Sequence, residues 1–166
     1  MVCGDWKLDR EGLVARGRRR NPGQLRSPRM AFYAWKLEEA KRIFEGLRQR
    51  SDSGVPIVVE GRRDEQALRK LGVVGIVHCL KAAGESGVRF LEKLDGLEDV
   101  VLLTDFDREG GELRLWLYQE LSRRGVRADD FAWKRIRSLA RTEVRSVEEL
   151  PSFLRSMELR ARGERG

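Results

Sequence analysis

The sequence predicts an α/β domain built on a small, mainly parallel β-sheet of about four strands, flanked by helices. Three observations favour this fold class. The chain has 166 residues, enough for one domain with a hydrophobic core. Three short runs are apolar almost throughout, which is typical of strands buried on both faces: "PIVVE", "VVGIVHCL" and "VVLLT". These runs alternate with segments of helical periodicity, as expected for βαβ units.

The first half of the chain is predicted to form two helices and two strands. Apolar residues at helical spacing indicate a helix from about residue 32 to residue 50, at Leu37, Ala40, Phe44 and Leu47. The run "PIVVE" predicts a first strand that ends at Glu60. A helix over "DEQALRKLGV" follows, with Gly72 as its C-cap, and "VVGIVHCL" predicts the second strand.

The second half continues the alternation. The segment "ESGVRFLEKLDG" predicts a short helix, and "VVLLT" predicts a third strand that ends just before Asp105. A strong amphipathic helix is expected over about 111–124, with its apolar face at Leu113, Trp116, Leu117 and Leu121. Residues 131–136 suggest a further strand, and "SVEELPSFLRSM" suggests a last helix that Pro151 starts or interrupts.

The positive charge is concentrated at the start of the chain. Residues 1–29 contain eight Lys or Arg and three Asp or Glu, so they carry +5 of the net charge of +7. The stretch "RRRNPGQLRSPR" within this segment has the composition of a linker or arm. Such an arm suits nucleic acid or another anionic surface. A solvated extension without a function, or a true start of the protein at Met30, would explain the same residues.

These patterns divide the chain into four segments. We expect a basic, disordered arm over 1–30, a helix over 31–53, a central α/β domain over 54–138, and a C-terminal helical segment and tail over 139–166.

The composition also limits where the protein acts. No apolar run approaches the ~18–20 residues of a membrane span, and the first thirty residues lack the apolar core of a signal peptide. The two cysteines, Cys3 and Cys79, are too few and too scattered for a disulfide framework or a zinc site. We therefore expect a cytoplasmic protein without membrane contact.

Three acidic residues follow the third strand in the motif "TDFDREGG", at Asp105, Asp107 and Glu109. Ligands of open parallel sheets bind at the carboxyl ends of the strands, so Glu60 can share an edge with Asp105. Crowded carboxylates repel one another unless a cation lies between them, and carboxylate oxygens suit Mg²⁺. We predict one or two Mg²⁺ ions, which Mn²⁺ could replace, held by Asp105 and Asp107 with Glu60 completing the site. A charged helix start is the alternative explanation for Asp107 and Glu109.

The motifs "VVEG", with "DEQALRKLG" behind it, and "LLTDFDREGGE" resemble the two signature motifs of the Toprim domain. That domain occurs in type IA and type II topoisomerases, bacterial primases, some nucleases and the bacterial 5S rRNA maturation nuclease. The size and the "VEELPSFL" tail are similar to the small stand-alone Toprim proteins of archaea. The resemblance covers residues 54–138 by motif and 32–157 by layout, and it implies a compact, Rossmann-like sheet of about four parallel strands.

The resemblance also implies roles for individual residues. Glu60 matches the glutamate that acts as general acid or base and, in metal-bound forms, as a ligand. Asp105 and Asp107 match the pair that holds Mg²⁺. Glu109 matches a third acid that some members use and others do not, so its role stays open.

Four basic residues are predicted at or just beyond strand ends, where they can contact phosphates: Arg62, Arg63, Lys81 and Arg108. Each of them could equally be a solvated surface charge. Together with the metal site they predict that the partner is a nucleic acid, either RNA or DNA.

The best enzyme hypothesis is Mg²⁺-dependent phosphodiester hydrolysis in RNA or DNA processing. A topoisomerase needs a nucleophilic tyrosine on a separate domain, whereas Tyr33 and Tyr118 both lie in predicted helices. A non-catalytic adaptor that binds metal and nucleic acid in RNA processing or repair is the main alternative. A haloacid-dehalogenase-type phosphatase, whose motif is also Asp-x-Asp, is a third. That motif usually opens its domain, whereas Asp105 follows the third predicted strand.

Overall fold

The computed structural model describes residues 27–81 and 87–164. Most of the predicted basic arm, residues 1–26, lies outside the described residues. The helices and strands follow one another in this order: α1 (Pro28–Asp52), β1 (Ile57–Val59), α2 (Arg62–Lys70), β2 (Val77–Cys79), α3 (Gly87–Glu92), β3 (Asp99–Leu102), α4 (Arg108–Arg123), β4 (Arg127–Asp129), α5 (Phe131–Ala140), a 3₁₀ turn (Val147–Glu149) and α6 (Leu150–Ala161).

The four strands form one sheet in the order β2-β1-β3-β4, and all three neighbouring pairs are parallel. Val58 in β1 pairs with His78 on one side and with Leu102 on the other. The prediction of an α/β fold with a four-stranded parallel sheet flanked by helices is therefore confirmed. Because the strands are parallel, their carboxyl ends all lie at the same edge.

Each face of the sheet carries its own hydrophobic core. Along β1, Ile57 and Val59 belong to one core while Val58 belongs to the other, as the alternation of side chains along a strand requires. The first core packs α1, α2, α5 and α6 against the sheet. The second core packs α3 and α4 against the opposite face. The sheet is thus covered by helices on both faces, which explains the uninterrupted apolar runs of its central strands.

The first helix starts with a standard cap. The Ser27 hydroxyl oxygen accepts a hydrogen bond from the Met30 N–H at 3.3 Å, and Pro28 occupies the first turn. This helix packs mainly against α5 and α6. Among the described residues, no helix has the length and apolar composition needed to cross a membrane.

The predicted strand at 131–136 is wrong. The fourth strand is Arg127–Asp129, and α5 begins at Phe131. The buried positions of this segment, Ala132, Trp133, Ile136 and Ala140, recur at helical spacing and belong to the first core. The apolar content of "FAWKRI" therefore reflects one face of a helix rather than a buried strand.

Candidate metal centre

Glu60 and Asp105 meet at the carboxyl edge of the sheet. Glu60 directly follows β1, and Asp105 follows the neighbouring strand β3 after two intervening residues, Leu103 and Thr104. Glu60 is buried, with 6% of its surface exposed, and its Oε1 accepts a hydrogen bond from the Asp105 N–H at 3.1 Å. Two residues far apart in the sequence are therefore brought together by the parallel pairing of β1 with β3.

Asp105 accepts hydrogen bonds from α5 and from the 3₁₀ turn. Its Oδ1 accepts a hydrogen bond from the Val147 N–H at 2.9 Å, and its carbonyl oxygen accepts one from the Trp133 indole N–H at 3.1 Å. Burial, together with the nearby charges of Asp64, Glu60 and Asp107, raises the pKa of the Asp105 carboxyl to about 6, although the hydrogen bond from Val147 acts in the opposite direction. Positive charge near Asp105 would favour its ionised form.

Asp107 is the N-cap of α4. Its Oδ1 accepts a hydrogen bond from the Gly110 N–H at 2.8 Å, and its side chain is exposed. Glu109 lies in the first turn of the same helix and is also exposed. The charged-helix-start interpretation is therefore correct for the position of both residues. It does not exclude metal binding by Asp107, whose Oδ2 has no hydrogen-bond partner among the described residues.

Asp64 is a fifth carboxylate at this edge, which the sequence interpretation missed. It lies in the first turn of α2 and is 6% exposed. Its Oδ2 accepts a hydrogen bond from the Gly61 N–H at 2.9 Å. Burial raises the pKa of Asp64, and the charges of Glu60 and Glu148 add to that effect. The signal available in the sequence was its position, since Asp64 follows shortly after a glutamate that ends a strand and lies in the first turn of the next helix.

The four predicted phosphate-binding residues have different surroundings. The Lys81 ammonium lies 2.6 Å from Glu60 Oε2, and this contact raises the pKa of Lys81. Arg108 pairs with Glu112 one turn along α4, at 2.9 Å. Arg62 and Arg63 are exposed at the start of α2, and Arg63 lies 3.9 Å from Glu148. Lys81 is thus part of the acidic site, and the three arginines lie at helix starts along the same edge.

The donor atoms at this edge fit Mg²⁺ better than a metal that needs a closed protein cage. Among residues 27–81 and 87–164, no three His, Cys, Asp or Glu side chains are close enough to form a complete metal cluster. Mg²⁺ does not require one, because it is usually held by one or two carboxylates, several waters and a substrate phosphate. Asp105 and Asp107 can each offer the carboxylate oxygen that makes no hydrogen bond within the described part of the chain.

His78 and Cys79, in β2, have surroundings that indicate a structural role. Burial lowers the pKa of His78. Burial and the neighbouring Glu65 raise the pKa of the Cys79 thiol to about 11. The Cys79 sulfur lies 3.5 Å from the Gly61 carbonyl oxygen, behind the start of α2. A thiol that stays protonated at neutral pH is a poor metal ligand.

Comparison with known proteins agrees with this geometry. A family model described as a Toprim domain matches residues 54–132, which include Glu60, Asp64, Asp105 and Asp107. A solved structure of a protein from Aquifex aeolicus superposes with a TM-score of 0.57 at 26% sequence identity, covering 65% of this chain and 94% of that chain.

Curated relatives from archaea extend the similarity beyond the motifs. The UPF0292 protein of Thermoplasma volcanium is 38% identical over 112 residues, which make up 66% of this chain and 92% of the relative. The UPF0292 protein of Pyrococcus furiosus is 35% identical over 130 residues, 78% of this chain and 94% of the relative. That of Methanosarcina barkeri is 30% identical over 132 residues, 79% of this chain and 91% of the relative. The chain therefore belongs to the UPF0292 family and carries a Toprim domain, whose presence implies a metal-binding function related to nucleic acids.

Proposed function

We propose that this protein is a Mg²⁺-dependent nuclease that hydrolyses phosphodiester bonds in RNA or DNA. The observation that supports this most is the meeting of Glu60 and Asp105 at the carboxyl edge of the sheet, within one hydrogen bond of each other. A hydrolytic nuclease needs a metal, a water molecule, a group that moves a proton and a way to hold the strand. This edge of the sheet offers candidate residues for holding the metal, for moving the proton and for holding the strand.

In the proposed reaction, Asp105 and Asp107 hold the cation and Glu60 moves a proton. A bound Mg²⁺ would supply neutralisation of the negative charge on the phosphodiester. Glu60 Oε1 is fixed by the Asp105 N–H, so proton transfer would use Oε2, the oxygen that pairs with Lys81. The Lys81 side chain is 66% exposed and can leave Glu60 to contact a phosphate oxygen.

A panel of nucleic acids tests this function. Labelled single-stranded RNA, structured RNA, single-stranded DNA and duplex DNA are incubated with the protein and Mg²⁺ or Mn²⁺. We expect cleavage of at least one substrate, and a loss of about 100-fold or more in Glu60→Gln and in Asp105→Asn/Asp107→Asn, as for removal of a general acid or base. Glu45→Gln is the matched control, because Glu45 is an exposed acid on α1 whose partners in the described part of the chain are its neighbours on that helix.

Cleavage that persists undiminished in Glu60→Gln would contradict the proposed role of this residue. A Mg²⁺ titration by calorimetry separates binding from chemistry, since Asp105→Asn/Asp107→Asn is expected to lose the heat of Mg²⁺ binding. Equal binding by the double variant and the unaltered protein would refute the metal site.

A non-catalytic adaptor is the second candidate, and one observation favours it. Both carboxylate oxygens of Glu60 have partners, the Asp105 N–H and the Lys81 ammonium, so this glutamate is already satisfied without a metal or a substrate. Binding of nucleic acid that weakens with salt, without cleavage under either metal, would support the adaptor. The Toprim match gives no support to the phosphatase alternative.

A further inference from the structure

A basic groove lies directly beside the acidic site. It has a volume of about 480 Å³ and runs between the start of α4 and the segment that follows α5. Its lining includes Asp107 together with Arg114, Arg137, Arg141 and Arg145. A substrate that occupies this groove would therefore touch the N-cap residue of α4.

A second groove continues from the first. It has a volume of about 560 Å³ and lies between α1 and α5, where its lining includes Phe32, Trp35 and Arg135. Arg141, just after α5, lines both grooves, so they meet at this residue. We call the two adjoining grooves, from Asp107 to Trp35, the α5 track.

The α5 track has an excess of positive charge. Arg137, Arg141 and Arg145 form no ion pair with any carboxylate in the described part of the chain. The two acids of the second groove are neutralised, because Glu39 pairs with Arg42 and Arg135, and Glu143 pairs with Lys36 and Arg160. Phosphate groups along the track would thus meet cations whose charge is not already balanced.

Two of the arginines are held in place by a buried ring. The Arg114 guanidinium lies 4.3 Å from the centroid of Trp133, and that of Arg137 lies 5.0 Å from the same ring. Arg114 also forms an ion pair with the buried Asp130. Trp133 in turn donates a hydrogen bond to the Asp105 carbonyl oxygen. The same side chain therefore contacts both the two arginines of the track and the backbone of the acidic site.

The far end of the track exposes two aromatic rings. Phe32 and Trp35 lie one turn apart on α1 and are 53% and 55% exposed, with ring centroids 6.0 Å apart. Large aromatic side chains exposed beside unbalanced arginines are the combination that binds single-stranded nucleic acid. Unpaired bases can stack on such rings, whereas the bases of a duplex are already stacked on one another.

We propose that the α5 track binds a single strand of nucleic acid, with phosphates along Arg137, Arg141 and Arg145 and bases stacked on Phe32 and Trp35. Delivery of the strand to Asp107 rests on the proposed nuclease function, whereas binding along the track does not. Trp35, Arg137 and Arg141 all lie outside residues 54–132, so the Toprim match does not account for them.

The test measures binding without cleavage. Fluorescence anisotropy of a short labelled oligouridine or oligodeoxythymidine is followed in EDTA, so that no metal-dependent reaction can occur. We expect Arg137→Gln/Arg141→Gln to bind about tenfold or more weakly and to show a smaller dependence on salt. Trp35→Ala is expected to bind about fivefold or more weakly, as for the loss of one stacked base.

Matched controls lie outside the track. Lys70→Gln removes one exposed positive charge at the end of α2, and Tyr118→Ala removes an aromatic ring that is 43% exposed on α4. Both are expected to bind the single strand as the unaltered protein does. Arg141→Gly gives a second variant at the junction, because φ of Arg141 is 49°, a conformation that glycine adopts without strain.

The possible outcomes distinguish the proposal of binding along the track from the proposal of nuclease activity. Weaker binding by the track variants, with melting temperatures near that of the unaltered protein, supports single-strand binding along the track. This conclusion holds even if no substrate is cleaved by the unaltered protein or by any variant. Equal binding by track and control variants would overturn it. A duplex of the same length that binds as tightly, and is weakened equally by Trp35→Ala, would also overturn the assignment to single strands.

Discussion

Glu60 combines a fixed position with a replaceable charge partner. Its Oε1 is held by a backbone N–H, whose geometry is set by the register between β1 and β3. Its Oε2 is held by the ammonium of Lys81, a flexible side chain that is 66% exposed. A cation or a phosphate can therefore replace the ion pair without moving the carboxylate, since the backbone contact stays in place.

Removal of Lys81 is expected to strengthen Mg²⁺ binding. Without the ammonium, Glu60 Oε2 loses the only side-chain partner it has within residues 27–81 and 87–164, and the site becomes more negative. A pair with one exposed partner contributes at most about 1 kcal/mol, so we expect Mg²⁺ to bind Lys81→Met about two- to fivefold more tightly. Calorimetric titration measures the change, with Lys70→Met as the control for loss of one positive charge. Unchanged or weaker binding would show that Lys81 does not compete with the metal.

The sequence was sufficient to predict the meeting of Glu60 and Asp105, because both follow apolar runs and parallel strands end at one edge. It was not sufficient for the contacts that support them. Trp133 and Val147 reach Asp105 from 28 and 42 residues further along the chain. Such contacts depend on how α5 and the 3₁₀ turn pack, and no local periodicity reports that packing.

At the scale of the elements, α4 is seated very closely on the end of β3. A Cβ atom added to Gly110 would lie 2.2 Å from the Asp105 carbonyl oxygen. The Thr104 hydroxyl donates a hydrogen bond to the Gly110 carbonyl oxygen at 2.8 Å, and Asp107 caps the same turn. The first turn of α4 and the Asp105 backbone thus form one rigid unit, which positions both predicted metal ligands.

Substitution of the two adjacent glycines is expected to have opposite effects. Gly110→Ala places a methyl group against backbone, so we expect a loss of about 2–4 kcal/mol in the free energy of unfolding. In Gly111→Ala the nearest atom to the new Cβ is a nitrogen of the Arg137 side chain, at 3.5 Å, which is an ordinary contact. Alanine is the better helix former, so we expect Gly111→Ala to gain up to about 1 kcal/mol.

Urea denaturation of both variants measures the difference. Gly110→Ala is also expected to lose Mg²⁺ binding, because any shift of α4 separates Asp107 from Asp105. If Gly110→Ala were as stable as Gly111→Ala, the close contact between α4 and the end of β3 would be absent in solution.

The wrong prediction of the fourth strand shows which kind of strand is difficult to recognise in a sequence. Arg127 is exposed and Ala128 and Asp129 are half-buried, so this edge strand has no apolar run to reveal it. It is defined by its pairing with β3, in which Asp99 lies opposite Arg127. The central strands β1 and β3, buried on both faces, were predicted because burial leaves a continuous apolar signal.

At the scale of the whole molecule, the candidate metal centre joins both halves of the chain. Glu60 and Asp64 come from the first βα unit, Asp105 and Asp107 from the third. The 3₁₀ turn before α6 donates the Val147 N–H to Asp105, and α6 packs against α1. The carboxylates can therefore reach their observed arrangement only in the folded protein, so a metal that needs this arrangement stabilises the fold by binding to it.

Mg²⁺ is accordingly expected to raise the melting temperature. An ion that binds only the folded state adds about 2.7 kcal/mol at a concentration 100 times its Kd, which corresponds to a rise of roughly 5–10 °C for a domain of this size. Thermal unfolding is followed by circular dichroism in EDTA and in Mg²⁺, for the unaltered protein, Asp105→Asn/Asp107→Asn and Glu45→Gln. The double variant should lose the rise because it lacks both proposed ligands, whereas Glu45→Gln should keep it. A rise of the same size in all three proteins would place the stabilising ion elsewhere, since the double variant lacks both proposed ligands whereas the unaltered protein and Glu45→Gln keep them.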